Sequence, residues 1–219
     1  MHDIFLVCTR HENLGNCCSG ELYNIFERIK PDVIFEETPP SYFDLYYVNK
    51  KRRNLESDAI NQYVRDYGII NVPVDSEEVP DQSFFDRLQK LHMQIERLTD
   101  VIGYNYRSFT DKNMENSAIH GLAYLNSDYG SSFYREIKLS IESGLQTMNN
   151  AALDSVYKNW RKVTHTREDV MLKNIYNYKN NNHFDRAVFT ICASHRESII
   201  NKINIFSATE KINLNWKNI

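Results

Sequence analysis

Between Ile4 and Glu36 the chain spells strand, helix and strand in turn, and the helical span between the two apolar runs requires them to lie parallel in one sheet. Ile4-Phe5-Leu6-Val7 is a run of strand formers that stops at a polar stretch containing Gly15 and Gly20. From Glu21 to Lys30, the residues Leu22, Ile25, Phe26 and Ile29 recur at helical spacing, with Ser19 as the expected cap and Pro31 as the stop. Val33-Ile34-Phe35 then runs into Glu36-Glu37, and Pro39-Pro40 bars continuation. Both strand ends therefore meet the same edge of the sheet.

The pattern repeats once more before it changes. A helix is expected over Ser57 to Tyr67, closed by Gly68, and Ile69 to Val74 reads as a strand that delivers Asp75 to the same edge. From Ser83 onward, Phe84, Leu88, Leu91, Ile95, Leu98 and Ile102 mark a long amphipathic helix. Further helices are expected around Met114 to Leu125, Ser131 to Ser143 and Ala151 to Tyr178, and no strand interrupts them. The aromatic residues Tyr104, Tyr106, Phe109, Tyr124, Tyr129, Phe133 and Tyr134 fit packing within this region, although a helical insertion can also roof a cleft. Strand character returns with Ala187 to Cys192. Ser194 and Glu197 then have the spacing of a capping box that would place His195 in the first turn of a helix. A last strand near Lys211 to Trp216 suits a sheet edge.

These elements give an α/β fold: a central, largely parallel sheet flanked by helices, with a helical insertion in the middle third. Its 219 residues, 42% of them apolar, suit one domain over 1–219, the insertion covering about 81–160. A net charge of −3 offers no global attraction to phosphate backbones, so nucleic acid is excluded as the default partner. The basic run Lys50-Lys51-Arg52-Arg53 reads as a solvated face or an anion-steering patch. No apolar stretch reaches the roughly 20 residues of a membrane span, and Met1-His2-Asp3 lacks a basic leader, so a cytoplasmic protein with no membrane span is expected. The four cysteines, Cys8, Cys17, Cys18 and Cys192, read as free thiols.

The strongest internal signal is a recurrence. The first and last buried strands end alike, in Cys8-Thr9-Arg10-His11 and Cys192-Ala193-Ser194-His195. Ligands of parallel sheets bind outside the carboxyl ends of the strands, so His11, His195 and Glu36, with Asp75 nearby, are expected to gather there. Of Glu36 and Glu37, one is expected to be a solvated strand-end carboxylate. A histidine beside a carboxylate can serve as base and orienter, and Glu36 with His11 is the expected pair. The set His11, Glu36 and His195 also matches a catalytic metal site, while Cys8, His11, Cys192 and His195 would make a tetrahedral zinc set if they converged.

The apolar strand with its trailing His11, the strand-end glutamate of Pro31-Asp32-Val33-Ile34-Phe35-Glu36, and Cys192-Ala193-Ser194-His195 together resemble a known superfamily. It joins the TraB pheromone-shutdown proteins, the Tiki metalloproteases, the ChaN haem-binding lipoproteins and the erythromycin esterases. Glu56-Ser57-Asp58-Ala59-Ile60 leading to Val72-Pro73-Val74-Asp75 is similar to that family's glutamate, helix, strand and aspartate passage, and Arg167-Glu168-Asp169-Val170-Met171 is similar to its arginine-led helix. The resemblance implies an active centre of His11, Glu36, Arg167 and His195, supported by Glu56 and Asp75. Family members usually carry glycine where this chain has Cys8 and Cys192, so thiols here narrow the site or add ligands.

The functional expectation is a hydrolase that activates water with a His/Glu centre, with or without a divalent metal such as Zn, Mn or Co, against an ester or peptide bond. Its substrate would be a small molecule or a peptide, and assembly as a homo-oligomer is compatible with the sequence. The alternative is a non-catalytic metal- or haem-binding protein that uses Cys8, His11, Cys192 and His195.

Overall fold

In the computed structural model, which describes residues 2–78, 80–102, 105–209 and 214–219, the apolar runs become strands β1 (Asp3–Thr9), β2 (Val33–Glu36), β3 (Ile70–Pro73) and β4 (Arg186–Cys192), followed by β5 (Asn215–Asn218). They form one sheet in the order β3-β2-β4-β1-β5, and every neighbouring pair is parallel. The most apolar strands, β1 and β4, sit centrally, as a sheet covered on both faces demands. The shorter and more polar β3 and β5 take the edges. Tyr104, the side chain of Ile102 and the expected strand start at Lys211 lie outside the described residues.

Seven α-helices among the described residues accompany the sheet: α1 (Ser19–Ile29), α2 (Leu55–Tyr67), α3 (Gln82–Ile102), α4 (Tyr106–Leu125), α5 (Asp128–Met148), α6 (Ala151–Asn181) and α7 (Arg196–Thr209). Four of them, α3 to α6, fall between β3 and β4, and Leu91, Ile95, Ile141, Leu145 and Tyr157 form a small apolar cluster of their own there. From β1 the chain crosses through α1 to β2, stepping over β4; from β4 it crosses through α7 to β5, stepping over β1 in the opposite direction. Right-handed crossovers in opposite directions put α1 and α7 on opposite faces and leave a crevice at the carboxyl ends of β1 and β4. Consistent with this, α1 packs on α2 and α4, while α7 packs on α6.

Two expected caps do not form. Ser19 is the first residue of α1 rather than its cap, and the preceding Cys18 offers no side-chain hydrogen bond. Ser194 and Glu197 do not make a capping box, because a tight 3-10 turn over Ala193–His195 comes before α7 and draws the Ser194 hydroxyl onto Cys192 Sγ at 3.3 Å. Glu197 instead meets Arg135 at 2.8 Å. By contrast α2 carries a full capping box from Asn54 and Ser57, and ends at Gly68 with a φ of 67° that glycine adopts without strain.

The crevice has a fixed wall on the β1 side. β5 pairs with β1 only from Asp3 to Leu6, which leaves the Cys8 backbone uncovered on that side. Asn126 covers it: Cys8 N–H donates to Asn126 Oδ1 at 2.7 Å, and Asn126 Nδ2 donates to Cys8 O at 2.9 Å. A buried side-chain amide thus stands in for a neighbouring strand and fixes the point from which Thr9 to His11 depart.

Candidate active site

Loops leaving β1, β2 and β3, together with α3 and α6, enclose a cleft of about 440 Å³. His11, Glu37, Asp75 and Arg167 supply its chemistry, and Tyr42, Tyr46, Phe85 and Trp160 supply aromatic walls. Phe85 stands on α3 and Trp160 on α6, so the helical middle does form part of the cleft. Of the aromatic residues that the sequence singles out there, the described ones do not line it; Tyr124, Tyr129 and Phe133 pack edge to face on one another.

Adjacent carboxylates at the end of β2 part company. β2 stops at Glu36, and a tight bend follows in which Thr38 N–H donates to Glu36 O at 2.8 Å. Glu36 turns inward to accept hydrogen bonds from Tyr47, from Asn71 at 2.9 Å and from Thr38 at 3.2 Å. Burial pushes its carboxyl up to about 7 against those hydrogen bonds. It touches neither histidine, and among the described residues His11 has Glu56 as its carboxylate partner.

Glu37 is the carboxylate that meets the centre. Its Oε1 lies 2.9 Å from Arg167 Nη2 and 3.4 Å from His195 Nε2, and its Oε2 accepts the Cys192 N–H at 2.7 Å. Asp75 takes the remaining side of Arg167, at 3.1 Å from Nε and 2.6 Å from Nη2. Burial alone would raise the Glu37 pKa, but the charges of His195 and Arg167 outweigh it and hold the carboxyl well below its ordinary range. Arg167 Nη1 has no protein partner among the described residues.

His195 lies beneath the cleft rather than in it, 5% exposed. Its Nδ1 sits 2.7 Å from Glu168 Oε1, so each ring nitrogen faces a carboxylate. Burial disfavours the imidazolium, yet the two carboxylates overcome that penalty and raise the pKa. Glu168 in turn accepts from Ser198 Oγ at 2.5 Å and lies 3.5 Å from Lys202 Nζ, itself buried against Asp169 at 2.5 Å. A chain of alternating charge thus runs from Asp169 through Lys202, Glu168, His195 and Glu37 to Arg167.

His11 stands at the mouth. Its side chain is 54% exposed, and its Nδ1 faces Glu56 Oε1 at 3.4 Å. Glu56 is anchored by Thr9 Oγ1, which donates to the same oxygen at 2.6 Å. The interaction with Glu56 raises the His11 pKa in spite of partial burial. With Nδ1 on Glu56, Nε2 is left for the cleft.

The residues do not fit a metal centre. Among the described residues no group of three or more His, Cys, Asp or Glu side chains is arranged to hold a metal ion. The expected set of His11, Glu36 and His195 is divided: Glu36 faces away, and both nitrogens of His195 are taken by carboxylates. Cys8 and Cys192 are free thiols with pKa values raised by burial, Cys192 to about 11, and Cys192 Sγ is engaged by Ser194.

Of the sequence candidates, His11, Asp75 and Arg167 line the cleft, Glu56 and His195 support it from behind, and Glu36 is held elsewhere. Glu37, Glu168 and Lys202 are members of the network that the sequence reading passed over. Two of them carry a recognisable signal: Glu168 lies on the stripe Met171, Leu172, Ile175 and Tyr176, and Lys202 on the stripe Ile199 and Ile203, which places a charge on a buried helix face in each case.

Fold and site together define the class of the protein: an α/β protein with a charged, aromatic-walled cleft at the carboxyl edge of a parallel sheet. No family model, curated protein or solved structure matches the chain. No helix among the described residues is long and apolar enough to cross a membrane.

Proposed function

We propose that the cleft is the active site of a hydrolase in which His11 and Glu56 activate water and Arg167 stabilises the oxyanion formed from an ester or peptide carbonyl. The observation that carries this reading is the pairing of His11 Nδ1 with Glu56 in a cleft that His11 shares with Arg167. Such pairing selects the tautomer in which Nε2 is the acceptor, the form a general base needs. His11 Nε2 takes a proton from water as the oxygen attacks the carbonyl carbon. The carbonyl electron pair moves onto oxygen, which Arg167 Nη1 receives. The tetrahedral species then expels the alcohol or amine, which leaves with the proton from His11.

The remaining charges act through Arg167. Glu37 and Asp75 hold Nε and Nη2 of its guanidinium, which leaves Nη1 for the oxyanion, and the charged His195 balances Glu37. His195 is therefore a positioning residue in this scheme, and His11 is the base. The resemblance to the superfamily that includes the erythromycin esterases and the Tiki metalloproteases agrees with hydrolysis, although Glu56 takes the place beside His11 expected of Glu36. Substrates are small molecules or peptides that fit between Tyr46 and Trp160.

The reading is tested with a panel of nitrophenyl esters and internally quenched peptides, comparing wild type with Arg167→Gln. Turnover by wild type is expected, with a loss of about 10²-fold or more in the variant. Identical turnover by both proteins, or none by a correctly folded wild type on any member, would overturn it.

A further inference from the structure

The basic run that the catalytic scheme leaves unused borders the cleft. Beside the cleft lies a second groove of about 500 Å³, and Tyr46 and Arg53 line both spaces. Lys50 and Arg53, from the loop before α2, and Arg65, from the body of α2, converge on this groove, and Asp58 is the carboxylate that faces them. Asp58 is already held by Arg53 in a two-pronged pair at 2.9 and 3.1 Å. Lys50 has no partner among the described residues, and Arg65 holds only its neighbour Asp66, at 3.4 Å. Arg52, from the same basic run, stacks 5.2 Å above the ring of Tyr42, a wall of the cleft.

A run of like charges on a loop is ordinarily a solvated face. Here cations from two separate segments instead face one concavity, and that concavity shares Tyr46 and Arg53 with the reactive cleft. The cleft itself carries both signs, since Glu12, Glu37 and Asp75 line it together with Arg53 and Arg167. In the second groove Lys50, Arg53 and Arg65 outnumber the single carboxylate Asp58, so charge favours an anionic group there.

We infer that the groove lined by Lys50, Arg53 and Arg65 is a subsite for an anionic group, a carboxylate or a phosphate, carried by the substrate beyond the bond that is cut. This rests on the hydrolase reading for the position of that bond. Binding in the groove does not depend on it. The anionic end sits over Lys50 and Arg65 while the carbonyl lies between His11 and Arg167.

The probes are the 4-nitrophenyl monoester of glutaric acid, its neutral pentanoate counterpart, and the corresponding 4-phosphonobutanoate ester. Wild type is expected to favour the anionic esters by about tenfold in kcat/KM at low ionic strength, with the ratio shrinking as salt screens the groove. In K50E/R65E the ratio should fall to one or below, and K50Q/R65Q supplies the same comparison should charge reversal prevent folding. Which anion is preferred identifies the source, carboxylate or phosphate. A ratio near one in wild type, or a ratio unchanged in both variants, overturns the subsite. Should none of these esters be cleaved, the wider ester and peptide panel decides the hydrolase reading, and calorimetric titration with glutarate and inorganic phosphate decides the subsite: binding weakened about tenfold by K50Q/R65Q sustains it, and no binding to wild type, or binding unchanged in the variant, overturns it.

Discussion

Replacing His195 by Gln removes a cation that lies between two buried carboxylates, and the structure sets the expected cost. The ring is 5% exposed, with Glu168 at 2.7 Å and Glu37 at 3.4 Å. Breaking a buried ion pair costs about 3–5 kcal/mol, because a charge is left without compensation. Here each carboxylate keeps another cation, Arg167 at 2.9 Å for Glu37 and Lys202 at 3.5 Å for Glu168, so the low end, about 3 kcal/mol, applies. For a chain of 219 residues that corresponds to a fall of about 6–12 °C in Tm. The folded-state pKa of His195 is raised above the unfolded value of 6.5, so its contribution is fully present below pH 6.5 and is lost as pH rises through the folded-state value. Urea unfolding of wild type and His195→Gln, followed by circular dichroism from pH 6 to pH 10, should therefore show a gap that is widest at the acid end and closes toward the alkaline end. A gap below about 1 kcal/mol at pH 6, or one that stays constant across the range, would refute a charged His195.

Other consequences follow from the same geometry. Glu56→Gln should move the acid limb of the pH profile of kcat/KM downward, because the Glu56 interaction is what raises the His11 pKa; an unmoved limb would separate Glu56 from the base. Glu36 has a folded-state pKa near 7 against an ordinary 4.5, so the native state holds its proton more tightly and loses that advantage as pH rises between those values. Wild type should accordingly lose up to roughly 3 kcal/mol relative to Glu36→Gln over that window, read from paired urea titrations. Asn126→Ala leaves the Cys8 N–H and carbonyl buried without their side-chain partners and should cost about 3 kcal/mol, visible as faster hydrogen exchange at the end of β1.

Much of this arrangement is legible in the sequence, and the reasons differ from residue to residue. The runs at Ile4, Val33 and Ala187 are strongly apolar and bounded by turn formers, so the parallel sheet and the shared edge can be read directly. Gly68 and Pro31 mark helix ends by backbone chemistry alone. The choice between Glu36 and Glu37 cannot be made this way, because β2 is buried on both faces and the bend at Thr38 sets the direction of each carboxylate. The partner of His11 is hidden for a similar reason: Glu56 reaches the site from the first turn of α2, whose start is governed by the Asn54 cap rather than by apolar spacing. Glu168 and Lys202 look like ordinary charges until their place in apolar helical stripes is counted. The edge strand β5 leaves Cys8 uncovered, and nothing in local periodicity foretells that Asn126 closes the gap.

The most direct test of the central claim is chemical rescue of His11→Gly with imidazole, using the best substrate from the ester and peptide panel. If His11 Nε2 transfers the proton, the variant should lose about 10²–10⁴-fold in kcat while keeping the wild-type unfolding midpoint. Added imidazole should then restore part of the rate in a saturable manner, with a pH dependence that follows the neutral form of the added base. Undiminished turnover by His11→Gly would contradict the assignment of His11 as the base.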